Sequence, residues 1–296
     1  MSTVLYNQEV LTPPVPSATV MVLRDSDQGI EVLLVKRHSK SKVLGGMHVF
    51  PGGKLDPADC SVTAERLDQP PQALKLALGE ADLDVATACG LHVAALRETM
   101  EECGLFIYGN HDSRLPKELR QRLQAGENFL AATEALDLAL QTQLIRPWSR
   151  WITPRKPSLM DRRFDTRFFV ALAPSDHEAV HDAHEVTEAE WLRPETALRR
   201  YWAGEMGLAA AQIISLMQLM RHRLAADVMQ HAQSQPPIHV LPEPMDINGH
   251  RVLCYPGDSQ HPNKVAAWAG PTRLTWRNER FEPEGGLDAY LNAHLA

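Results

Sequence analysis

The sequence predicts an α/β fold, because segments rich in β-forming residues alternate with segments whose apolar residues recur at helical spacing. The clearest strands are residues 18–23 and 30–35, which are joined by the polar turn 25–29 and together predict a β-hairpin. The clearest helix covers residues 91–105, and Gly104 is a residue suited to ending it. One face of this helix carries an apolar stripe that can pack against a sheet: Val93, Leu96, Met100 and Cys103.

The alternation of strands and helices continues toward the C-terminus. We predict strands at residues 146–154, 162–171 and 185–193, and helices at residues 117–125, 129–138, 194–202 and 208–229. Two further strands, at residues 251–255 and 273–277, predict a β-rich segment near the C-terminus. We therefore divide the chain into a domain over residues 1–230 and an extension over residues 231–296. The extension can pack on the domain or contact a second subunit in a homodimer.

The composition is that of a globular protein and argues against two classes of function. Hydrophobic residues make up 44% of the 296 residues, which is enough for a packed core. The net charge of −7 argues against nucleic-acid binding, because phosphate contacts need a basic surface. We find neither a secretory signal nor a run of about 18 apolar residues, so we expect no membrane association. The four cysteines lack disulfide-type or zinc-type spacing, which favours a reducing, cytoplasmic location.

Three carboxylates crowd one face of the predicted helix 91–105. Glu98 lies three and four positions before Glu101 and Glu102, so the three side chains are neighbours on a helix. Arg97 lies four positions before Glu101 and can brace it. Like charges at this spacing repel unless a cation lies between them, and carboxylate oxygens suit Mg²⁺ or Mn²⁺. The alternative interpretation is a solvent-exposed acidic face.

A glycine turn upstream of the helix favours the metal-binding interpretation. Residues 50–59 contain two adjacent glycines, Gly52 and Gly53, which let the backbone approach a ligand closely. Together with the helix, this turn resembles the Nudix box, whose pattern is G-x5-E-x7-R-E-U-x-E-E-x-G-U, with U an aliphatic residue. The matching positions are Gly53, Arg97, Glu98, Glu101, Glu102, Gly104 and Leu105.

The chain departs from the Nudix pattern at three points. Asp59 stands where the pattern has its first glutamate, and Thr99 replaces an aliphatic residue. Residues 60–96 lie where the pattern has only seven residues. Because loop closure costs little extra entropy as a loop lengthens, we interpret residues 60–90 as an insertion within the box. We expect it to contain a short helix near residues 73–78 and no metal ligands.

The resemblance to the Nudix family implies both a fold and a chemistry. The implied fold is an α/β/α sandwich with a mixed sheet, and the implied activity is metal-dependent hydrolysis of a nucleoside diphosphate linked to another moiety. The implied cofactor is Mg²⁺ or Mn²⁺, held by the carbonyl of Gly53 and by Glu98, Glu101 and Glu102. The implied catalytic residues are Arg97, Glu98, Glu101 and Glu102. The general base is left open, and Glu185 and Glu188 are further candidates for it.

A second resemblance, to the coenzyme A diphosphatase branch of this family, covers the residues just before the helix. The matching residues are Arg37, Gly46, Phe50 and the following Pro51-Gly52-Gly53. Lys42 stands in place of an arginine of that signature. We predict that Arg37 and Lys42 bind substrate phosphate through charge-assisted hydrogen bonds; the alternative is two basic residues at the end of a surface strand. Residues 16–205 also resemble larger eukaryotic peroxisomal acyl-coenzyme A diphosphatases, which carry an interrupted box as well.

The substrate favoured by these resemblances is coenzyme A or acyl-coenzyme A, cleaved to 3′,5′-ADP and 4′-phosphopantetheine or its acyl form. ADP-ribose and NADH are alternatives, because neither the box nor the fold distinguishes among them. An alternative of another class is a regulator that binds a nucleotide without cleaving it. Such a regulator would ordinarily have lost helix carboxylates, and all three are present here. In each case the expected partner is a small-molecule nucleotide.

Overall fold

A mixed sheet of eight strands forms the centre of the fold. The computed structural model describes residues 5–41, 43–108, 114–174 and 186–293. The strands are β1 (Val15–Ser26), β2 (Gly29–Arg37), β3 (His48–Val49), β4 (Gly52–Lys54), β5 (Ile145–Ile152), β6 (Phe164–Leu172), β7 (Val186–Leu192) and β8 (Ile238–Val240). Their order is β3-β2-β1-β6-β5-β8, with β4 also paired to β1 and β7 to β2. Strand β1 runs parallel to β6 and antiparallel to β2 and β4, so the predicted hairpin and mixed sheet are confirmed.

Helices cover both faces of this sheet. The helices are α1 (Pro71–Leu78), α2 (Val85–Cys103), α3 (Leu115–Gln124), α4 (Phe129–Ala135), α5 (Pro194–Trp202), α6 (Ala210–Leu219), α7 (Ala225–Ser234) and α8 (Gly286–Leu291). One core contains buried residues of α1–α4 and the other contains buried residues of α5–α8. The predicted α/β/α sandwich is therefore confirmed. Within the described residues, no helix combines the length and the apolar character needed to cross a bilayer.

Strand β1 shows how the sequence builds the two cores. Successive side chains of a strand point to opposite faces of its sheet. Val20 and Val22 accordingly belong to the core under α2, whereas Met21 and Leu23 belong to the core under α5–α7. All four side chains are fully buried, which explains why residues 20–23 form a continuous apolar run.

The C-terminal residues form a second, antiparallel sheet. Its strands are β9 (Glu243–Ile247), β10 (His250–Cys254), β11 (Arg273–Arg277) and β12 (Arg280–Pro283), in the order β12-β11-β10-β9. Leu253 and Phe281 from this sheet share a core with α5–α7, while β8 pairs with β5 of the main sheet. The proposed boundary at residue 230 falls inside α7. The division into two domains stays a prediction.

Two predicted elements differ from the structure. The segment 208–229 is predicted as one helix but forms α6 and α7, because polar caps start a new helix. The Leu224 amide donates to the Asp227 carboxylate at 3.1 Å, and the Ala225 amide donates to Asp25 Oδ1 at 2.8 Å. Helix α2 begins at Val85, earlier than predicted, so residues 85–90 belong to this helix and not to the insertion.

Candidate active site

Helix α2 carries the candidate catalytic residues, and both of its ends are defined by local chemistry. At the start, Asp84 accepts a hydrogen bond from the Thr87 amide at 2.8 Å, which satisfies one of the unpaired amides of a helix N-terminus. At the end, Gly104 adopts the left-handed conformation with φ 64°, as predicted. Between these ends, the apolar stripe of α2 packs against the sheet and orients the polar face toward a cavity.

Arg97 is the centre of the polar network on this face. Its Nε and Nη2 donate to the two carboxylate oxygens of Asp59, both at 2.9 Å. Its Nη1 donates to Glu98 at 2.8 Å and to Glu101 at 2.9 Å, and Nη2 also donates to the Lys54 carbonyl at 3.0 Å. Burial alone would lower the pKa of Arg97, but these anions outweigh it and raise the pKa. Arg97 is therefore permanently charged and holds two of the three helix carboxylates in place.

The glycine turn binds Glu102, the third helix carboxylate, and lies close against the carboxylate of Glu98. The Gly52 amide donates to Glu102 Oε2 at 2.9 Å. A Cβ atom at Gly53 would collide with the carboxylate of Glu98, so a larger residue at this position would displace that side chain. The turn and the helix thus meet as the Nudix pattern implies, although 43 positions separate Lys54 from Arg97.

The site opens into a cavity of about 870 Å³. One part of its lining is polar and includes Gly53, Glu98, Glu101 and Glu102. Another part is apolar and combines residues of the main sheet, the loop after β5 and the C-terminal sheet: Trp151, Leu159, Met160, Phe164, Phe168, Leu253 and Phe281. The cavity can therefore hold a ligand with one charged end and one apolar end.

The donors at the polar end fit a hard divalent cation. Glu98, Glu101 and Glu102 all line the cavity and offer only oxygen atoms, as does the Gly53 carbonyl. Partial desolvation raises the pKa of Glu101, while the charge and hydrogen bond of Arg97 oppose this rise. Additional positive charge at the site would favour the ionised form of Glu101, which is the form that ligates a metal.

The structure gives different positions to the remaining candidates. Arg37 lines the cavity, its Nη1 lies 3.8 Å from Glu102 Oε1, and its buried Nε has no hydrogen-bond partner among the described residues. Lys42 and Glu185 lie outside the described residues. Glu188 pairs with Lys36 at 3.0 Å and does not line the cavity.

Two interactions of this region are not anticipated by the sequence. One is the pairing of Asp59 with Arg97, which the position of Asp59 in the pattern could have suggested. The other lies in the insertion, where Glu80 is buried and binds Arg167 through two hydrogen bonds of 2.9 and 2.6 Å. Arg150 contacts the same carboxylate at 2.9 Å. The insertion is thus joined to strands β5 and β6 by ion pairs of one buried carboxylate.

Comparison with known proteins agrees with this geometry. The chain belongs to the Nudix family: the family model of the NUDT19 Nudix domain matches residues 4–219. A crystal structure of a Nudix hydrolase from Alicyclobacillus acidocaldarius has the same fold, with a TM-score of 0.62 and 29% identity. That match covers 75% of this chain and 97% of the other.

Curated relatives fall in the same branch. Acyl-coenzyme A diphosphatase NUDT19 of Xenopus laevis is 25% identical over 225 residues, which cover 64% of this chain and 59% of the relative. The human protein of the same name is 26% identical over 238 residues, covering 68% and 63%. The chain thus spans about three fifths of the length of these relatives.

Proposed function

We propose that this protein is a metal-dependent hydrolase that cleaves the diphosphate of coenzyme A or acyl-coenzyme A. The products would be 3′,5′-ADP and 4′-phosphopantetheine or its acyl form. The observation that carries the proposal is the cavity itself, in which the oxygen donors of the Nudix box line one part and apolar side chains line another. The names of the Xenopus laevis and human relatives support the same substrate class.

Different residues of the chain have different roles in hydrolysis. Glu98, Glu101, Glu102 and the Gly53 carbonyl would hold the cofactor. When bound, Mg²⁺ or Mn²⁺ neutralises charge on the diphosphate oxygens and acidifies the attacking water. Arg97 positions Glu98 and Glu101, since one of its nitrogens binds both.

Hydrolysis requires a general base and the attack of water on a phosphorus atom. A carboxylate takes a proton from the water as general base, and Glu185 remains a candidate beside the carboxylates of the box. The water oxygen then bonds to one phosphorus while the bond from that phosphorus to the bridging oxygen breaks. Arg37 would bind a phosphate of the substrate, because it lines the cavity next to Glu102 and its buried Nε lacks a partner among the described residues. Lys42 stays a second predicted phosphate ligand.

The apolar part of the cavity favours the acyl form over ADP-ribose and NADH. Burying a methylene group contributes about 0.8 kcal/mol, so an acyl chain on Leu159 and Met160 would raise affinity with its length. ADP-ribose and NADH have no apolar chain to bind there. The C-terminal sheet supplies Leu253 and Phe281 to this lining, which gives the extension a role in substrate binding.

A side-by-side assay tests the proposal. The full chain is incubated with Mg²⁺ or Mn²⁺ and with coenzyme A, a long-chain acyl-coenzyme A, ADP-ribose or NADH, and the products are separated by chromatography. We expect the highest kcat/KM for the two coenzyme A compounds. Preference for ADP-ribose or NADH would replace the substrate class, and metal-dependent binding without cleavage of any compound would favour the regulator.

Two further properties belong to this proposal. A reducing, cytoplasmic location is supported by Cys60, Cys89, Cys103 and Cys254, which are all free thiols. A homodimer through the extension stays a prediction, which light scattering coupled to size-exclusion chromatography tests directly.

A further inference from the structure

Three metal-ligating side chains meet on the sheet face that packs against α5, opposite to helix α2. They are His48 of β3 and Glu188 and Glu190 of β7, and one ligand atom of each lies within 4.8 Å of the others. None of the three lines the catalytic cavity. The cluster is therefore separate from the carboxylates of the Nudix box.

The pairing of the strands explains why these residues meet. Strands β3 and β7 pair with opposite edges of β2, and both His48 and Glu188 lie directly across from Lys36. Residues across from each other in neighbouring strands project to the same face of a sheet. Glu190 is two residues beyond Glu188 and shares its face, where it lies across from Leu34.

His48 is an unusual member of this cluster because its ring is buried without hydrogen bonds. The residue is 3% exposed, and neither ring nitrogen has a hydrogen-bond partner among the described residues. Its position is fixed by its backbone amide, which donates to the Gly207 carbonyl at 2.8 Å. A buried polar group without a partner costs free energy. A ligand bound to a ring nitrogen of His48 would remove part of this cost. Burial also lowers the pKa of His48, which keeps the ring neutral and able to ligate.

The two carboxylates are each oriented by one cation. Lys36 Nζ binds Glu188 Oε1 at 3.0 Å, and Arg200 Nη1 binds Glu190 Oε2 at 2.6 Å. Because a carboxylate has two oxygens, each of these contacts uses one side of the group. Hydrogen bonds of this kind to ligating carboxylates are a regular feature of protein metal sites, where they fix the ligand's orientation.

We propose that His48, Glu188 and Glu190 bind a divalent transition-metal ion such as Zn²⁺. An imidazole nitrogen together with two carboxylates suits zinc and its neighbours, whereas Mg²⁺ prefers oxygen ligands alone. Three protein ligands would leave a fourth position of a tetrahedral ion for water. The bound ion would tie β7 to β3, the strand that leads directly into Phe50 and the glycine turn. The proposal does not rest on the catalytic assignment, since the two sites share no residue.

Co²⁺ is a suitable probe, because its visible absorption reports nitrogen and oxygen ligation and tetrahedral geometry. The full chain is saturated with Mg²⁺ to occupy the catalytic carboxylates and then titrated with Co²⁺ and, by calorimetry, with Zn²⁺. We expect one tight site in the wild type and a loss of affinity of roughly tenfold or more in His48→Gln and in Glu190→Gln.

Two controls separate this site from other metal binding. Glu101→Gln, in the catalytic cavity, and His250→Gln, on the exposed end of β10, should keep the Co²⁺ spectrum and the Zn²⁺ affinity. Circular dichroism without metal establishes whether each variant is folded. If His48→Gln does not fold, Glu190→Gln provides the test of the site. Unchanged Zn²⁺ affinity in the folded cluster variants, or loss of the site in Glu101→Gln alone, would overturn the proposal.

Discussion

Asp59 and Arg97 form a bidentate ion pair although they are 38 positions apart in the sequence, and both nitrogen–oxygen distances are 2.9 Å. Asp59 is 1% exposed and lies in a short 3-10 turn immediately before the insertion. The aspartate therefore anchors the arginine that positions Glu98 and Glu101, although its side chain is one methylene shorter than the glutamate of the Nudix pattern. The long insertion leaves this connection intact.

Asp59→Asn should destabilise the protein and lower its activity. The substitution leaves a buried guanidinium without its main counter-charge, which typically costs about 3 to 5 kcal/mol. Chemical denaturation measures the change in the free energy of unfolding, with Asp56→Asn as a control that removes an exposed carboxylate three residues away. Equal stability of the two variants would contradict the anchoring role of Asp59.

Glu80→Gln should show that the insertion is part of the folded core. Glu80 is buried with Arg167 and also contacts the half-buried Arg150, and Leu74 and Leu78 of α1 are buried as well. Losing this charge should cost about 3 kcal/mol or more, whereas Asp82→Asn on the exposed surface of the same insertion should cost little. Thermal unfolding compares the two variants. The same reasoning predicts that a chain with residues 60–84 replaced by a short loop unfolds more easily, while the carboxylates proposed to bind the metal stay on α2.

His92 should make the protein less stable in acid. This buried ring lies on α2, packs edge-on against Phe169, and its burial lowers the pKa from 6.5 to about 4. Between these two values the unfolded chain binds a proton that the folded chain does not, so stability falls as the pH falls from 6.5 toward 4. The shift corresponds to roughly 3 kcal/mol.

Denaturation between pH 4 and pH 7 measures this effect. His92→Leu should flatten the pH dependence over that window, and His239→Gln, on an exposed position of β8, should leave it as in the wild type. If His92→Leu and the wild type lose the same free energy of unfolding between pH 7 and pH 4, the loss must come from other groups.

Arg37→Ala should lower the rate of hydrolysis through lost phosphate contact. A hydrogen bond between charged groups contributes about 1.5 to 3 kcal/mol, which corresponds to a decrease in kcat/KM of roughly ten- to a hundredfold. If the contact is to the 3′-phosphate, the decrease should be larger for coenzyme A than for 3′-dephospho-coenzyme A. Arg277→Ala, which removes an exposed arginine of the C-terminal sheet, is the matched control. Equal decreases on both substrates would place the contact at the diphosphate.

The sequence correctly predicts those helices and strands whose bounds depend on residues close together in the chain. Helix α5 has the predicted bounds Pro194–Trp202, because a proline at the first helical turn is a strong start signal. The strand pattern of β1 and the glycine stop of α2 are predicted for the same reason. Residues 208–229 are mispredicted because their apolar spacing continues across Leu224, while the cap from Asp25 comes from a distant hairpin.

Contacts between distant segments are the part of the site that the sequence does not predict. The Nudix pattern identifies Glu98, Glu101 and Glu102, and helical spacing predicts the contact of Arg97 with Glu101. The pairings of Arg97 with Asp59 and of Glu80 with Arg167 instead join segments that are far apart in the sequence. The cluster at His48 has no sequence signal either, because its ligands come from two strands that are neighbours of β2 only in the folded protein.

We propose that the box carboxylates, with a bound divalent metal, cleave the diphosphate of coenzyme A compounds. The most direct test measures kcat for acyl-coenzyme A at saturating Mg²⁺ in the wild type, Glu101→Gln, Glu102→Gln and the surface control Glu118→Gln. Both cavity variants should be folded, as shown by unchanged circular dichroism, and should lose roughly a hundredfold or more in rate, the scale of removing one electrostatic group from an active site. The control should retain the wild-type rate. Folded Glu101→Gln and Glu102→Gln that both turn over within a few-fold of the wild type would contradict the claim.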